Sequence, residues 1–327
     1  MLYLTARRAV RASLRRVSTQ HVAVLFAVSL AVACSPTARG GPAIGQFEIK
    51  SVGAEPGETE WQSQNDFSFG NPQRRLATDA NGDLNADGNS VTRQRNALEV
   101  ELGITSFLKT RIGISVQRDR MEDPATAGQA DAYDELTFDG FGFETNWTLL
   151  PRKGDGIGVG FIIEYDRPAT SDEAEAITAG PLFELAKGPW LASFSPLITR
   201  YMGGAALAED GPGNRLDFGY AARIMYQHSA ELSLAVEAYG SVERLGSTGR
   251  VDDSAEVFGD FNQHRIGPIL YWTFEDKLAK QRAEPGAHGG DDDDGRKVET
   301  TVGIGAFFGL NDTTADTTLK FSIEVAY

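Results

Sequence analysis

Four groups of residues in the 327-residue chain have types and spacings that could do chemistry. The first is Asp79-x-Asn81-x-Asp83-x-Asn85-x-Asp87-Gly88-Asn89, which sets oxygen side chains at alternate positions with a glycine where the chain must turn. Ca²⁺ loops present their ligands in this way. Counted from Asp83, the twelfth position is Gln94, where such loops carry a bidentate Glu. Asp, Asn and Gly are also the residues of flexible acidic turns. Asp79, Asn81, Asp83, Asn85 and Asp87 are therefore candidate Ca²⁺ ligands, and no other cofactor is expected. The second group, Asp291–Asp294 beside His288, reads as a solvated acidic run or a loose cation site.

The third group is His228 and His264. A hydrolase would need one of them to hold a serine and to be oriented by a third polar group. No nucleophile motif surrounds any serine, so no catalytic residue is expected and the chain is read as a non-enzyme. The fourth group is a set of charges, each sitting opposite an apolar row: Glu99, Glu101, Glu164, Arg215, Arg223, Glu237, Glu243, Arg265, Glu299, Lys320 and Glu324. Gathered inside a barrel, opposed charges either set up a transverse field for polar solutes or cross-link into a plug.

The elements that must position these charges are strands. The tail from Thr317 to Tyr327 puts Leu319, Phe321, Ile323, Val325 and Tyr327 on one face and Lys320, Ser322, Glu324 and Ala326 on the other. That is unbroken period-2 alternation ending on an aromatic residue. Termini usually fray, whereas the last strand of a closed barrel must pair with the first and stays ordered to its end. Similar runs occupy 58–70, 95–105, 110–120, 135–149, 156–167, 173–186, 190–201, 215–227, 231–243, 262–275 and 297–308. With the tail they make about twelve strands of the length a tilted membrane strand requires. Trp147, Tyr165, Tyr226, Trp272, Phe274 and Tyr327 fall toward strand ends, where an aromatic girdle would lie.

Alternation alone fits two folds. A soluble barrel or sandwich turns the apolar rows inward, and a membrane barrel turns them outward. The gaps favour the membrane. Short ones at 106–109, 150–155, 187–188 and 229–230 alternate with long ones at 71–94, 121–133, 202–214 and 244–261, as periplasmic turns alternate with outer loops. The gap 276–296 breaks the rule, being long on the short side. It is either a disordered periplasmic insert or a slip in the strand count.

The N-terminus points the same way. Arg7, Arg8, Arg11, Arg15 and Arg16 precede the apolar run 22–33, which ends in Ala31-Val32-Ala33. This is a secretory signal peptide over 1–33. Cys34 is the only cysteine, so the mature chain has no disulfide framework. Leu30-Ala31-Val32-Ala33-Cys34 is close to a lipobox, which makes Cys34 a candidate for lipidation. Residues 34–57, rich in Gly, Pro and Ala, hold the alternating piece Gln46-Phe47-Glu48-Ile49-Lys50 and are read as a periplasmic lead-in or partial plug. A net charge of −15 offers no basic patch for nucleic acid.

His264-x-x-Gly267-Pro268-Ile269-Leu270, Gly305-Ala306-Phe307-Phe308-Gly309-Leu310-Asn311-Asp312 and the terminal strand resemble the end of a broad group of outer-membrane barrels. Glu48-Ile49-Lys50 followed by Gly57-Glu58 resembles its start. The group includes transporters of the phenol-degradation meta-pathway type. The resemblance implies a fold and carries no site residues. It also implies that the final aromatic residue, Tyr327, belongs to the signal read by the barrel-assembly machinery.

The sequence therefore predicts an all-β, closed, antiparallel up-and-down transmembrane β-barrel over 58–327, exported to the outer membrane. Its partners would be lipid and lipopolysaccharide. Its expected function is a narrow channel or transporter for a small solute. The alternative is a non-conducting structural or adhesive barrel with cation-binding acidic loops.

Overall fold

The computed structural model describes residues 47–72, 76–78, 84–86, 90–121, 135–171, 173–203, 215–243, 245, 262–276 and 298–327. The strands in chain order are β1 (Thr59–Pro72), β2 (Leu76–Thr78), β3 (Leu84–Ala86), β4 (Ser90–Thr105), β5 (Leu108–Met121), β6 (Leu136–Leu150), β7 (Gly156–Pro168), β8 (Glu175–Lys187), β9 (Trp190–Met202), β10 (Leu216–Gln227), β11 (Leu232–Val242), β12 (Gln263–Asp276), β13 (Val298–Gly309) and β14 (Thr317–Ala326). β2 and β3 pair only with each other, and the other twelve form one closed barrel in which each strand pairs with its neighbours in sequence. Every pairing is antiparallel, and β14 closes on β1.

The closure runs to the last residue. Thr59 and Tyr327 exchange both backbone hydrogen bonds, each at 3.0 Å. Trp61 Nε1 donates to Tyr327 Oη at 2.9 Å. The aromatic terminus is thus clamped to the first strand, as period-2 alternation into the final residue predicts.

Burial decides which face meets which solvent. Ile112, Leu149, Ile224 and Ile304 are 60, 65, 60 and 58% exposed, whereas Glu99, Glu144 and Glu237 are 3, 3 and 0% exposed. A soluble barrel would show the reverse. The apolar rows form the outside wall, and the charged rows fill the centre. Trp272 and Phe274 stack at 5.5 Å, and Trp190 packs on Tyr226 at 4.9 Å. Both pairs lie at the end with the short turns, where they form part of the girdle.

Strand ends differ from the sequence reading in small ways with physical causes. The turn expected at 106–109 shrinks to two residues, because Lys109 pairs with Gly103 and Leu108 with Thr105. β1 and β4 stay paired beyond the expected ends, out to Pro72 and Ser90, through an irregularity between Ser68 and Asn71. The 71–94 gap, read from the sequence as a long outer loop, contains the β2–β3 ladder. The β8–β9 ladder is interrupted between Ala179–Ile198 and Phe183–Phe194, the stretch that holds Pro181 and Pro196. Proline has no N–H to give a ladder. Gly180 permits the strands to stay close there, since a Cβ at that position would stand 2.1 Å from the Pro196 carbonyl oxygen.

An outward residue in mid-strand faces hydrocarbon, so a charge placed there is costly. Ile304→Arg should destabilise the folded barrel by roughly 2–4 kcal/mol, read by urea titration in phospholipid vesicles. Unchanged stability would mean that this face meets water.

Candidate functional site

The interior is organised by a segment that belongs to no barrel strand. Residues 47–52 run inside the barrel before β1 begins, and alternate side chains meet opposite parts of the wall. Phe47 and Ile49 pack against Ala221, Tyr239 and Phe307. The Phe47 ring meets Tyr239 edge-on at 5.6 Å, and the Arg265 guanidinium lies over it at 4.6 Å. Glu48 and Lys50 face the opposite side. Glu48 ion-pairs with Arg111, and Lys50 Nζ stands 2.5 Å from Glu144 and 2.7 Å from Glu48. The period-2 alternation of 47–50 is thus an amphipathic pattern for a lumen with two unlike walls.

Wall side chains also hold the backbone of this segment. Lys109 Nζ donates to Ser51 Oγ at 2.8 Å, and Asn146 Nδ2 donates to the Ser51 carbonyl at 2.8 Å. Thr148 Oγ1 donates to the Val52 carbonyl at 2.6 Å, and the Val52 amide donates to Glu184 Oε1 at 3.0 Å. The Val52 side chain is fully buried with Ile162 and Leu182. Where the segment leaves the lumen, the Gly57 amide donates to the Gly103 carbonyl at 2.7 Å. Gly103 must be glycine here, because a Cβ would stand 1.9 Å from the Glu55 carbonyl oxygen. At this mouth, partial burial and the neighbouring Glu55 push the Glu58 carboxyl above its ordinary value.

Two charge networks flank the segment. On the β4–β6 side, Arg111 bonds Glu101 at 2.8 Å and Glu99 at 3.4 Å, and Lys109 pairs with Glu101 at 2.8 Å. On the β11–β14 side, Lys320 reaches Glu237 at 3.3 Å and Tyr239 Oη at 3.0 Å. Tyr239 donates to Glu237 at 2.5 Å, and Tyr271 donates to the same carboxylate. Toward the outer end, Arg93 is paired bidentately with Asp119 at 2.8 Å, and Arg95 with Asp139 at 3.1 Å. Arg265 donates to Thr318 at 3.0 Å.

Of the charges singled out in the sequence, Glu99, Glu101, Glu164, Glu237, Arg265 and Lys320 are buried on the inner face. Arg215, Arg223, Glu243 and Glu324 are half-buried, and Glu299 is exposed at the end of β13. Arg215 joins Asp217 at 2.8 Å and Glu243 at 3.7 Å. Sequence reasoning missed Lys109, Arg111, Glu144 and Glu184 as members of this interior. Their signal was present, since each alternates with an outward apolar or aromatic residue, as Arg111 does with Ile112.

His264 faces outward, its Nδ1 3.0 Å from Tyr220 Oη and its ring stacked on the Tyr220 ring. His228 is exposed in the turn before β11. Among the candidate Ca²⁺ ligands, Asp79, Asn81, Asp83 and Asp87 lie outside the described residues, and Asn85 falls in β3. Residues 1–33, Cys34, His288 and Asp291–Asp294 also lie outside them. Among the described residues no group of three or more His, Cys, Asp or Glu is placed to hold a metal ion.

A closed ladder, an apolar exterior and a charged interior are what hydrocarbon imposes on a spanning sheet. The chain is an outer-membrane β-barrel. No protein-family model matches it, and no curated protein does. Solved structures similar to it include an outer membrane channel from Pseudomonas putida F1, at 9% identity over 83% of this chain and 95% of that one, TM-score 0.49. The transport unit of the autotransporter AIDA-I from Escherichia coli gives 11% identity over 84% of this chain and 90% of that one, TM-score 0.42. A FadL homologue from Pseudomonas aeruginosa gives 8% identity over 83% and 90%, TM-score 0.34. Likeness of this degree assigns no substrate.

Arg111 holds three carboxylates at once. Arg111→Met should strand Glu48, Glu99 and Glu101 and destabilise the barrel by roughly 3–5 kcal/mol, measured by urea titration of the folded gel band. A loss below about 1 kcal/mol, the range of an exposed pair, would contradict a structural role for this network.

Proposed function

We propose that the protein is a narrow, internally occluded channel that admits a small solute across the outer membrane and performs no catalysis. The observation that carries this reading is the way residues 47–52 occupy the lumen. A twelve-stranded barrel is wider than side chains alone fill. Here the extra space is taken by a segment outside the barrel's ladder, held by side-chain hydrogen bonds and ion pairs. Such a segment can exchange its polar contacts for water and leave without breaking the wall. The 34–57 lead-in thus acts as a plug at least over 47–52, after a signal peptide over 1–33 and with Cys34 as a candidate lipid attachment. The resemblance to transporters of the phenol-degradation meta-pathway type points to the same class of function.

The ends of the barrel support two partners. Arg118, Arg167 and Arg200 face outward and are exposed near the outer ends of β5, β7 and β9. They suit the phosphate groups of lipopolysaccharide. Tyr327, clamped at the seam, suits a terminal signal for the barrel-assembly machinery.

Planar-bilayer recording tests the channel. The full mature protein should give small conductance steps, and deletion of residues 47–52 should enlarge them several-fold. Absence of steps from both, with each protein shown folded by a heat-modifiable gel shift, would leave only a structural barrel. Deleting Tyr327 should lower the heat-modifiable fraction in isolated outer membranes, and an unchanged fraction would remove the terminal residue from the assembly signal.

A further inference from the structure

We propose that the carboxylate wall around Lys50 is a binding subsite for the ammonium or guanidinium group of a cationic solute, and that Lys50 occupies it as a tethered stand-in. The inference rests on the channel reading and names the class of solute.

The wall is built on two adjacent levels of β4–β7. On one level Glu101, Arg111, Glu144 and Glu164 stand directly opposite one another. On the next stand Glu99, Gly113, Gly142 and Asp166. Five of these eight positions are carboxylates, and Arg111 is the one strand-borne cation among them. Arg111 is committed to Glu48, Glu99 and Glu101. That leaves Glu144, Glu164 and Asp166.

Lys50 is the cation that reaches Glu144, at 2.5 Å, while also serving Glu48. Neither Glu144 oxygen accepts a hydrogen bond, and both Asp166 oxygens are buried without one. Glu164 is 5% exposed and has no hydrogen bond or ion pair among the described residues. It lines a gap with Glu99, Arg111 and Glu144. Buried carboxylates short of donors are expensive unless a cation joins them.

The geometry selects the kind of cation. No three carboxylates here converge to hold a metal ion. They are spread along a pleated wall, which suits a group with several N–H donors pointing different ways. The gap leaves no room for a water-sized body in the present arrangement. A solute must therefore take the subsite as Lys50 gives it up. Binding then favours the state with the segment released, which couples recognition to opening.

Agmatine, which carries both an ammonium and a guanidinium, is the probe. The mature protein, Glu164→Gln and Lys50→Met are recorded in planar bilayers under a KCl gradient, each shown folded by its heat-modifiable band. Cations should pass in preference to anions. Agmatine should block the K⁺ current of the unaltered protein, at least tenfold more weakly in Glu164→Gln and at lower concentration in Lys50→Met. Equal block in all three, or anion preference, would overturn the subsite while leaving the channel. Absence of steps from all three would overturn the channel and the subsite together.

Discussion

Hydrocarbon offers a backbone amide no partner, and the rest of this structure follows from that constraint. A spanning sheet must pair every N–H within itself, so the ladder has to close. Here it closes between the first strand and the last residue, with Thr59 and Tyr327 exchanging both of their backbone bonds. Closure leaves two faces, and strand pleating sends alternate side chains to each. Leu, Ile, Val and the aromatics take the outside. Between the strand ends the charged residues go to the centre.

A centre stocked with charges must be neutralised locally, because a buried unpaired ion is costly. The wall does this in part, through Arg93–Asp119, Arg95–Asp139 and Lys320–Glu237. The segment over 47–52 does more. It contributes Glu48 to Arg111 and Lys50 to Glu144, and it fits its apolar residues against Tyr239, Phe307 and Ile162. Its grip combines ion pairs, side-chain hydrogen bonds and apolar packing, and it adds no strand to the barrel's ladder. The twelve strands close on one another without it, as the proposed channel requires of an occluding element.

Much of this was legible in the sequence, because period-2 alternation is a direct image of a pleated wall between two solvents. The strand expected over 156–167 matches β7 (Gly156–Pro168), and the tail matches β14 (Thr317–Ala326). The ends of β1 and β4 were harder to read, since Asn71, Pro72 and Ser90 carry turn chemistry while pairing overrides it. Inside, Glu99 and Lys320 could be placed from parity alone. The role of Arg111 could not, because its three partners come from the segment and from β4, and single-strand periodicity contains no cross-strand distances. Ile162 breaks the pattern for a similar reason: it is an inward apolar residue that packs with Val52 of the segment and Leu182 of the wall.

The claim beneath everything else is that the exposed apolar face meets lipid. All four tryptophans lie on that face: Trp61, Trp147, Trp190 and Trp272 are 37, 39, 53 and 50% exposed. Their fluorescence in vesicles of lipids brominated near the headgroup end of the acyl chain is therefore the most direct probe. The account predicts strong quenching of most of the emission. Emission unaffected by bromine, from a protein that stays dispersed without detergent, would contradict it.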